Sequence, residues 1–426
     1  MSRQNVSPVF LLILFLHITS FTANACSTYK VTVDGITRYG MNYDTWFVNP
    51  RIWFETKGYG AAFTGANYQG GNDLTPQAGM NEFGLSFGTL ATPTPENGKS
   101  PALKKEITSR SEYLKSILHS CKNVDEVKSF IEQYDHSRFS NDVFIYTEPS
   151  GKYLIVEPYE LITGNQNKYV LANFCPSTIS DFSSIKQQRY INGSAFLKSK
   201  IDTSLEFCKA LSDTMHVCRN KIGDGTLLTS IWDLNNGNVH LYFYHDYSRQ
   251  VQFNIKEELA KGDHFYEIAS LFPFNAEYQK LIDFKTPMNS DIIYWLLLAC
   301  LWLFAFSFLY FLIGYFRNRK TKYAGYKLLL ALLGFCLVYY MVKLETEMGI
   351  FYFPAPYKGY KFGLLDLASY LPFLIALLFI PVLIINRRVL KESTWKNTSK
   401  FLFTANSIAY FLLIVMFSYW GFYNVL

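Results

Sequence analysis

No block of like charge runs through this 426-residue sequence. Its 40 Lys and Arg against 34 Asp and Glu leave a formal charge of +6. That surplus is too thinly spread to track a phosphate backbone, so no nucleic acid is expected as a partner. Metal-ligand spacing is missing too. His119, His136, His216, His240, His245 and His264 stand nowhere in a His-x-x-x-His arrangement, and neither a metal nor any other cofactor is expected. Aromatic residues, by contrast, are 18% of the chain. They are unevenly spread, and the last third is far more apolar than the rest. A mean hydropathy near zero therefore averages two unlike regions. The length suits one large soluble domain or two smaller units.

Residues 1–25 read as a secretory signal. Arg3 supplies the charged head, VFLLILFLHI the apolar core, and Ala23, Asn24 and Ala25 the small-x-small cleavage site. The core is short for a membrane span, though an uncleaved anchor is the alternative. Four longer apolar stretches follow near the C-terminus, at about residues 292–316, 323–342, 364–385 and 401–421. The second relies on Lys327 snorkelling. Arg317, Arg319, Lys320 and Lys322 fill the first loop between them, and Arg387, Arg388, Lys391 and Lys396 the third. The positive-inside rule places those two loops in the cytoplasm and the preceding domain outside it, the side a signal peptide also demands. The expected division is a signal at 1–25, a soluble domain at 26–285 and a four-helix transmembrane domain at 286–426.

Within 26–285 the pattern alternates between strand and helix. YKVTVDG and ITRYGMNYD read as strands joined at Asp34 and Gly35. RIWFETKGYGAAFTG continues in that style, and MNEFGLSFGTL has a break at Gly84 followed by a strand. Helical spacing runs from Pro101 to Cys121 (Leu103, Ile107, Leu114, Ile117), and a second helix is capped at Asn123. DVFIYTEPSGKYLIVEP and LLTSIWDLNNGNVHLYFYHDY are hairpins, NKYVLANF is a strand, and Ser183–Lys200 and Ser204–Val217 are expected helices. The order implies an α+β domain with largely antiparallel sheets. Of Cys121, Cys175, Cys208 and Cys218, one or two pairs could be bridged outside the cytoplasm. Cys300 and Cys336 read as packing residues of the apolar segments.

Cys26 follows directly on the cleavage site. Such a cysteine is a nucleophile served by its own α-amine, a lipidation site, or a structural residue. Ala23 and Asn24 fit lipidation poorly. An amine with a pKa near 8 on the same residue as the thiol supplies a general base without a histidine.

The text around Cys26 resembles the choloylglycine hydrolase and penicillin V acylase family of N-terminal nucleophile hydrolases. The likeness rests on a leading Cys; a Gly-x-Asn-x-Asp stretch at Gly40, Asn42 and Asp44; GMNEFGL at Gly79–Leu85; FIYTEPSGKYLIVEP; YVLANF; QQRYINGSAFL; and LTSIWDLNNGNVHLYFY. It covers most of residues 26–247 and none of the apolar third. It implies a four-layer αββα core. In that resemblance Cys26 attacks an amide carbonyl and Asp44 orients and charges the α-amine. Asn173 donates to the oxyanion beside a backbone N–H near Ala91, and Arg189 lies near the thiol. Taken alone, Asp44 would be a turn residue, Asn173 a cap and Arg189 a solvated side chain. Asn81 and Glu82 are read as turn-shaping. Met41 stands where many relatives carry arginine, which weakens the case for bile salts and leaves room for an apolar acyl pocket.

The expectation is a membrane-tethered cysteine amidohydrolase of the inner membrane, its catalytic domain in the periplasm or outside the cell. It would cleave the linear amide of an N-acylated small molecule or lipid. The alternatives are a non-catalytic binding or sensory lipoprotein, and a transporter with a degenerate outer domain; Asp366 and Ser369 are sparse polar groups for transport.

Overall fold

The computed structural model describes residues 26–67, 75–95, 104–218, 225–352 and 363–424; the signal segment at 1–25 lies outside them. The chain divides after Phe284 into two compact units.

In the first unit, Asp34 (φ 51°) and Gly35 (φ 77°) take the left-handed pair of angles that a two-residue hairpin needs. They join β1 (Ser27–Val33) to β2 (Ile36–Thr45). Around this hairpin β10 (Lys168–Leu171), β11 (Gly225–Asp233), β12 (Asn238–Phe243) and β13 (Asp246–Asn254) complete a six-stranded antiparallel sheet in the order β10-β1-β2-β11-β12-β13. The second sheet runs β14-β3-β4-β5-β6-β7-β8-β9. Its strands are β3 (Asn49–Glu55), β4 (Ala61–Asn67), β5 (Ala78–Asn81), β6 (Ser86–Ala91), β7 (Asp142–Thr147), β8 (Tyr153–Val156), β9 (Leu161–Gly164) and β14 (His264–Glu267).

Each sheet buries one face under helices. Leu114, Ile117 and Leu118 of α1 (Arg110–Ser120) and Val124, Val127 and Ile131 of α2 (Val124–Ile131) pack on Phe63, Phe87 and Tyr146 of the second sheet. Leu197 of α3 (Gln188–Ser199) and Cys208, Leu211 and Met215 of α4 (Leu205–Met215) pack on Tyr29, Val31 and Ile231 of the first. The other two faces meet. A Cβ on Gly88 of β6 would overlap the Tyr39 hydroxyl of β2, and Thr37 Oγ1 donates to the Pro149 carbonyl at 2.9 Å. The layers therefore run helix, sheet, sheet, helix.

Two helices are shorter than their spacing predicts. α1 starts only at Arg110, capped by the Ser109 hydroxyl, and Ile107 is buried from an extended segment. α3 starts at Gln188, after a short 3-10 turn at Phe182–Ser184. Burial of a few apolar residues mimics helical period where tertiary packing is the real cause. β9, β13, β14, α5 (Ile255–Leu259) and α6 (Ala276–Asp283) had no clear sequence signal. None of the bridges that Cys121, Cys175, Cys208 and Cys218 could form is present: among the described residues all seven cysteines are free thiols.

His136 shows what burial does to a titrating side chain. It is 8% exposed beside the Tyr113 hydroxyl, 2.7 Å from its Nε2, and burial pushes its pKa down to about 4. The unfolded chain binds that proton near pH 6.5, so stability is fully present above that value and is lost as pH falls towards 4. The loss amounts to roughly 3 kcal/mol for a shift of this size. Thermal melts from pH 7 to 4.5 are expected to show a falling midpoint, and His136→Gln should flatten that slope. An unchanged slope in the variant would count against His136 as the source.

In the second unit, four helices among the described residues are long and apolar enough to cross a membrane. They are α7 (Asp291–Arg317), α8 (Ala324–Thr346), α9 (Leu364–Lys391) and α10 (Asn397–Tyr419). Trp302, Leu332, Leu377 and Phe411 are exposed on them, a surface suited to hydrocarbon. Asp366 and Ser369 serve the start of α9: the Asp366 carboxylate accepts from the Gly363 N–H at 3.3 Å, and Ser369 Oγ donates to the Asp366 carbonyl at 2.6 Å. The buried polar bridge lies elsewhere. Asn406 Nδ2 of α10 donates to Ser307 Oγ of α7 at 2.7 Å.

Candidate active site

β1 delivers Cys26 to the site. Ser27 pairs with Asn42, so Cys26 lies beside Tyr43 and Asp44 at the end of β2. Its thiol donates to the Asp44 carbonyl at 3.7 Å, and the residue is only 4% exposed. Asp44 is not a turn residue: it lies within β2, buried, and its Oδ1 accepts from the Thr226 hydroxyl of β11.

Arg189 opens α3 one residue in from its start and is half-buried. Its Nε donates to the Cys26 carbonyl at 3.2 Å, while Nη2 donates to Asn173 Oδ1 and to Gln187 Oε1. The guanidinium therefore touches Cys26 at its main chain. Any help to the thiolate comes from nearby positive charge.

With Oδ1 held by Arg189, the Asn173 amide has a fixed orientation, and Nδ2 donates to the Ala91 carbonyl at 2.7 Å. An amide nitrogen carries two hydrogens, so this bond uses one and aims the other. Ala91 closes β6. Thr89 N–H points toward β5, bonding the Gln77 carbonyl at 2.8 Å, and Thr92 N–H points the other way, to Asn141. Alternation along the strand directs the Ala91 N–H to the Thr89 side, the side on which its carbonyl meets Asn173. The Asn173 amide and the Ala91 N–H thus face the same edge of β6.

The five residues singled out in the sequence come together: Cys26, Asp44, Asn173, Arg189 and Ala91. Three partners escaped sequence reasoning. Gln187 grips Asn173 twice, accepting its N–H at 3.1 Å and donating to its carbonyl at 2.9 Å. Thr226 holds Asp44, and Tyr39 fills the space between the sheets. No spacing marks Gln187, although it stands two residues before Arg189. Met41 is not the wall of an open acyl pocket. It is 1% exposed, its sulfur accepting from the Tyr39 hydroxyl at 3.9 Å and packing against Gly88. Asn81 is structural, bonding the Leu118 and Cys121 carbonyls at 2.9 and 2.8 Å and the N–H groups of its own turn.

Two other thiols of the first unit, Cys175 and Cys208, are held protonated by burial, which pushes Cys175 up to about 11 and Cys208 up to about 12. Among the described residues no cluster of His, Cys, Asp and Glu has the arrangement to hold a metal ion.

No family model matches this sequence, and no curated protein matches it. Solved structures do. A variant of conjugated bile acid hydrolase from Clostridium perfringens is 17% identical with a TM-score of 0.46, over 59% of this chain and 97% of that one. A second mutant of that hydrolase is 16% identical with the same score and coverage. Penicillin V acylase from Agrobacterium tumefaciens is 13% identical with a TM-score of 0.41, over 51% and 82% of the two chains.

Proposed function

We propose that the first unit is a cysteine amidohydrolase acting on a linear, non-peptide C–N bond of an N-acylated small molecule or lipid. The observation that supports this reading is the bonded chain from the Cys26 main chain through Arg189 to Asn173 and Ala91, which ties the leading cysteine to the Asn173 amide and the end of β6. In this reading removal of residues 1–25 frees the Cys26 amine. The amine takes the thiol proton as Sγ attacks the amide carbonyl, and the oxyanion forms against Asn173 and Ala91. The C–N bond breaks, the leaving amine receives the proton, and a thioester remains on Cys26. Water, deprotonated by the same amine, then releases the acid. Asp44 holds the amine's charge.

The second unit supplies the tether in this reading, with the first and third connecting loops in the cytoplasm and the catalytic unit on the far side of the membrane. An enzyme held at a bilayer suits an amphiphilic substrate. Mass spectrometry of the purified full chain tests the proposal at its root. It should find Cys26 as an unmodified N-terminal residue, and a retained Met1 or a diacylglyceryl adduct would refute it.

A further inference from the structure

We propose that Thr226 is a positioning residue for Asp44, fixing the carboxylate at the head of β1 by a hydrogen bond of one enforced direction. The inference rests on the catalytic reading of Cys26 and Asp44 above.

The Thr226 side chain is 1% exposed and its oxygen has two partners. One is the Val217 N–H, which donates to Oγ1 at 2.9 Å; the other is Asp44 Oδ1. A backbone N–H can only donate, so it takes up a lone pair of the hydroxyl oxygen. The single hydroxyl hydrogen is left to point at the carboxylate. A charge-assisted O–H···O bond of this kind is among the stronger side-chain bonds, and it favours the ionised acid.

The backbone around it is built for the purpose. β11 slips register against β2 between Thr226 and Leu228, a bulge that re-aims the Thr226 side chain. Gly225 sits at φ +152°, where a Cβ would overlap the Val217 carbonyl, and that carbonyl accepts the Thr226 N–H at 2.7 Å. Residues 217–218 and 225–226 thus form a clasp whose one buried polar side chain faces Asp44. A threonine that only closed a bulge would need no carboxylate partner.

The charged and titratable groups about Asp44 come from several elements. The Cys26 thiol of β1 bonds its carbonyl, and the Tyr247 hydroxyl of β13 is raised by burial and by the Asp44 charge. Asp213 of α4 also acts on Tyr247 and pairs with His216, whose ring stacks on His245 at 5.8 Å. Arg189 of α3 donates to the Cys26 carbonyl.

The test uses the mature full-length protein in detergent and needs no substrate. Acetaldehyde condenses with a free N-terminal cysteine: its carbonyl carbon bonds both nitrogen and sulfur, and one water leaves. The rate of that ring closure against pH reads the titration of the Cys26 amine. Wild type, T226S, T226V, D44N and T226V/D44N are compared, with thermal melts to confirm folding. T226S should keep the wild-type midpoint. T226V should lower it by about half a unit or more, because an aimed carboxylate stabilises the ammonium form. D44N, which removes the charge itself, should lower it at least as far, and the double variant should match D44N. A wild-type midpoint in folded T226V, or additive shifts in the double variant, would overturn the positioning role. If T226V does not fold, T226A serves in its place with the same expected shift. Failure of wild type to form any ring both folded and after unfolding in denaturant would mean that the amine is blocked, which removes the catalytic reading itself.

Discussion

Cys26→Ala is expected to abolish hydrolysis of every N-acyl substrate that the wild type cleaves, by about four orders of magnitude or more in kcat. The loss is large because the substitution removes the attacking sulfur and leaves the α-amine with no thiol to deprotonate. Cys175 and Cys208 are held protonated by burial. The fold should survive, since the replacement removes one small buried atom and a 3.7 Å contact to the Asp44 carbonyl. Melting within a few degrees of wild type, alongside lost activity in a panel of acylated amines and lipids, is the supporting result. Equal turnover by both proteins would end the catalytic reading.

Asn173→Ala carries the second large effect, a fall in kcat of roughly 10²–10³, or about 2.7–4 kcal/mol, with KM little changed. The amide stands between the Arg189 guanidinium and the Ala91 carbonyl, and truncation strips an acceptor from one and a donor from the other. Part of the loss is therefore positional. Asn173→Asp separates the two contributions: it keeps an acceptor for Arg189 but has no N–H to offer an oxyanion. If the amide stabilises the transition state, Asn173→Asp should be as slow as the alanine variant while melting nearer to wild type. A rise in KM with unchanged kcat in either variant would assign Asn173 to substrate binding instead.

The parts of this protein legible in its sequence are the local ones. Asp34-Gly35 specifies its hairpin because both residues tolerate left-handed angles, and Asn123 caps its helix with its own side chain. The four long helices of the second unit announce themselves by apolar length. What escaped is set by distant partners. β13 (DYSRQVQFN) is a polar strand at the edge of its sheet, so it lacks the buried alternation that marks a strand. Ile107 is apolar on a helical spacing, yet it is buried from outside a helix. Asn406 and Ser307 look like ordinary interruptions of apolar runs until α7 and α10 bring them together. In the candidate site, the resemblance pointed to Cys26, Asp44, Asn173 and Arg189, which the residues taken alone did not. The bonds among them span 163 residues for Arg189 to Cys26 and 82 for Asn173 to Ala91, and no local pattern encodes such pairings. Thr226 and Gln187 were invisible for the same reason: only the fold makes them neighbours of what they hold.

β1 is an interior strand, laddered to β2 on one side and to β10 on the other. On the reading proposed here, the peptide bond before Cys26 lies at the head of that strand, and a protease must bind it extended in its own cleft. The ladders begin at Ser27 and Thr28, one or two residues beyond that bond, so once they have closed little extended chain is left for such a cleft. Cutting then belongs to export, while the chain is still threading out and the strand is unpaired. On that reading pulse-labelling should find no folded chain that still carries residues 1–25, the nucleophile being made as the chain is exported.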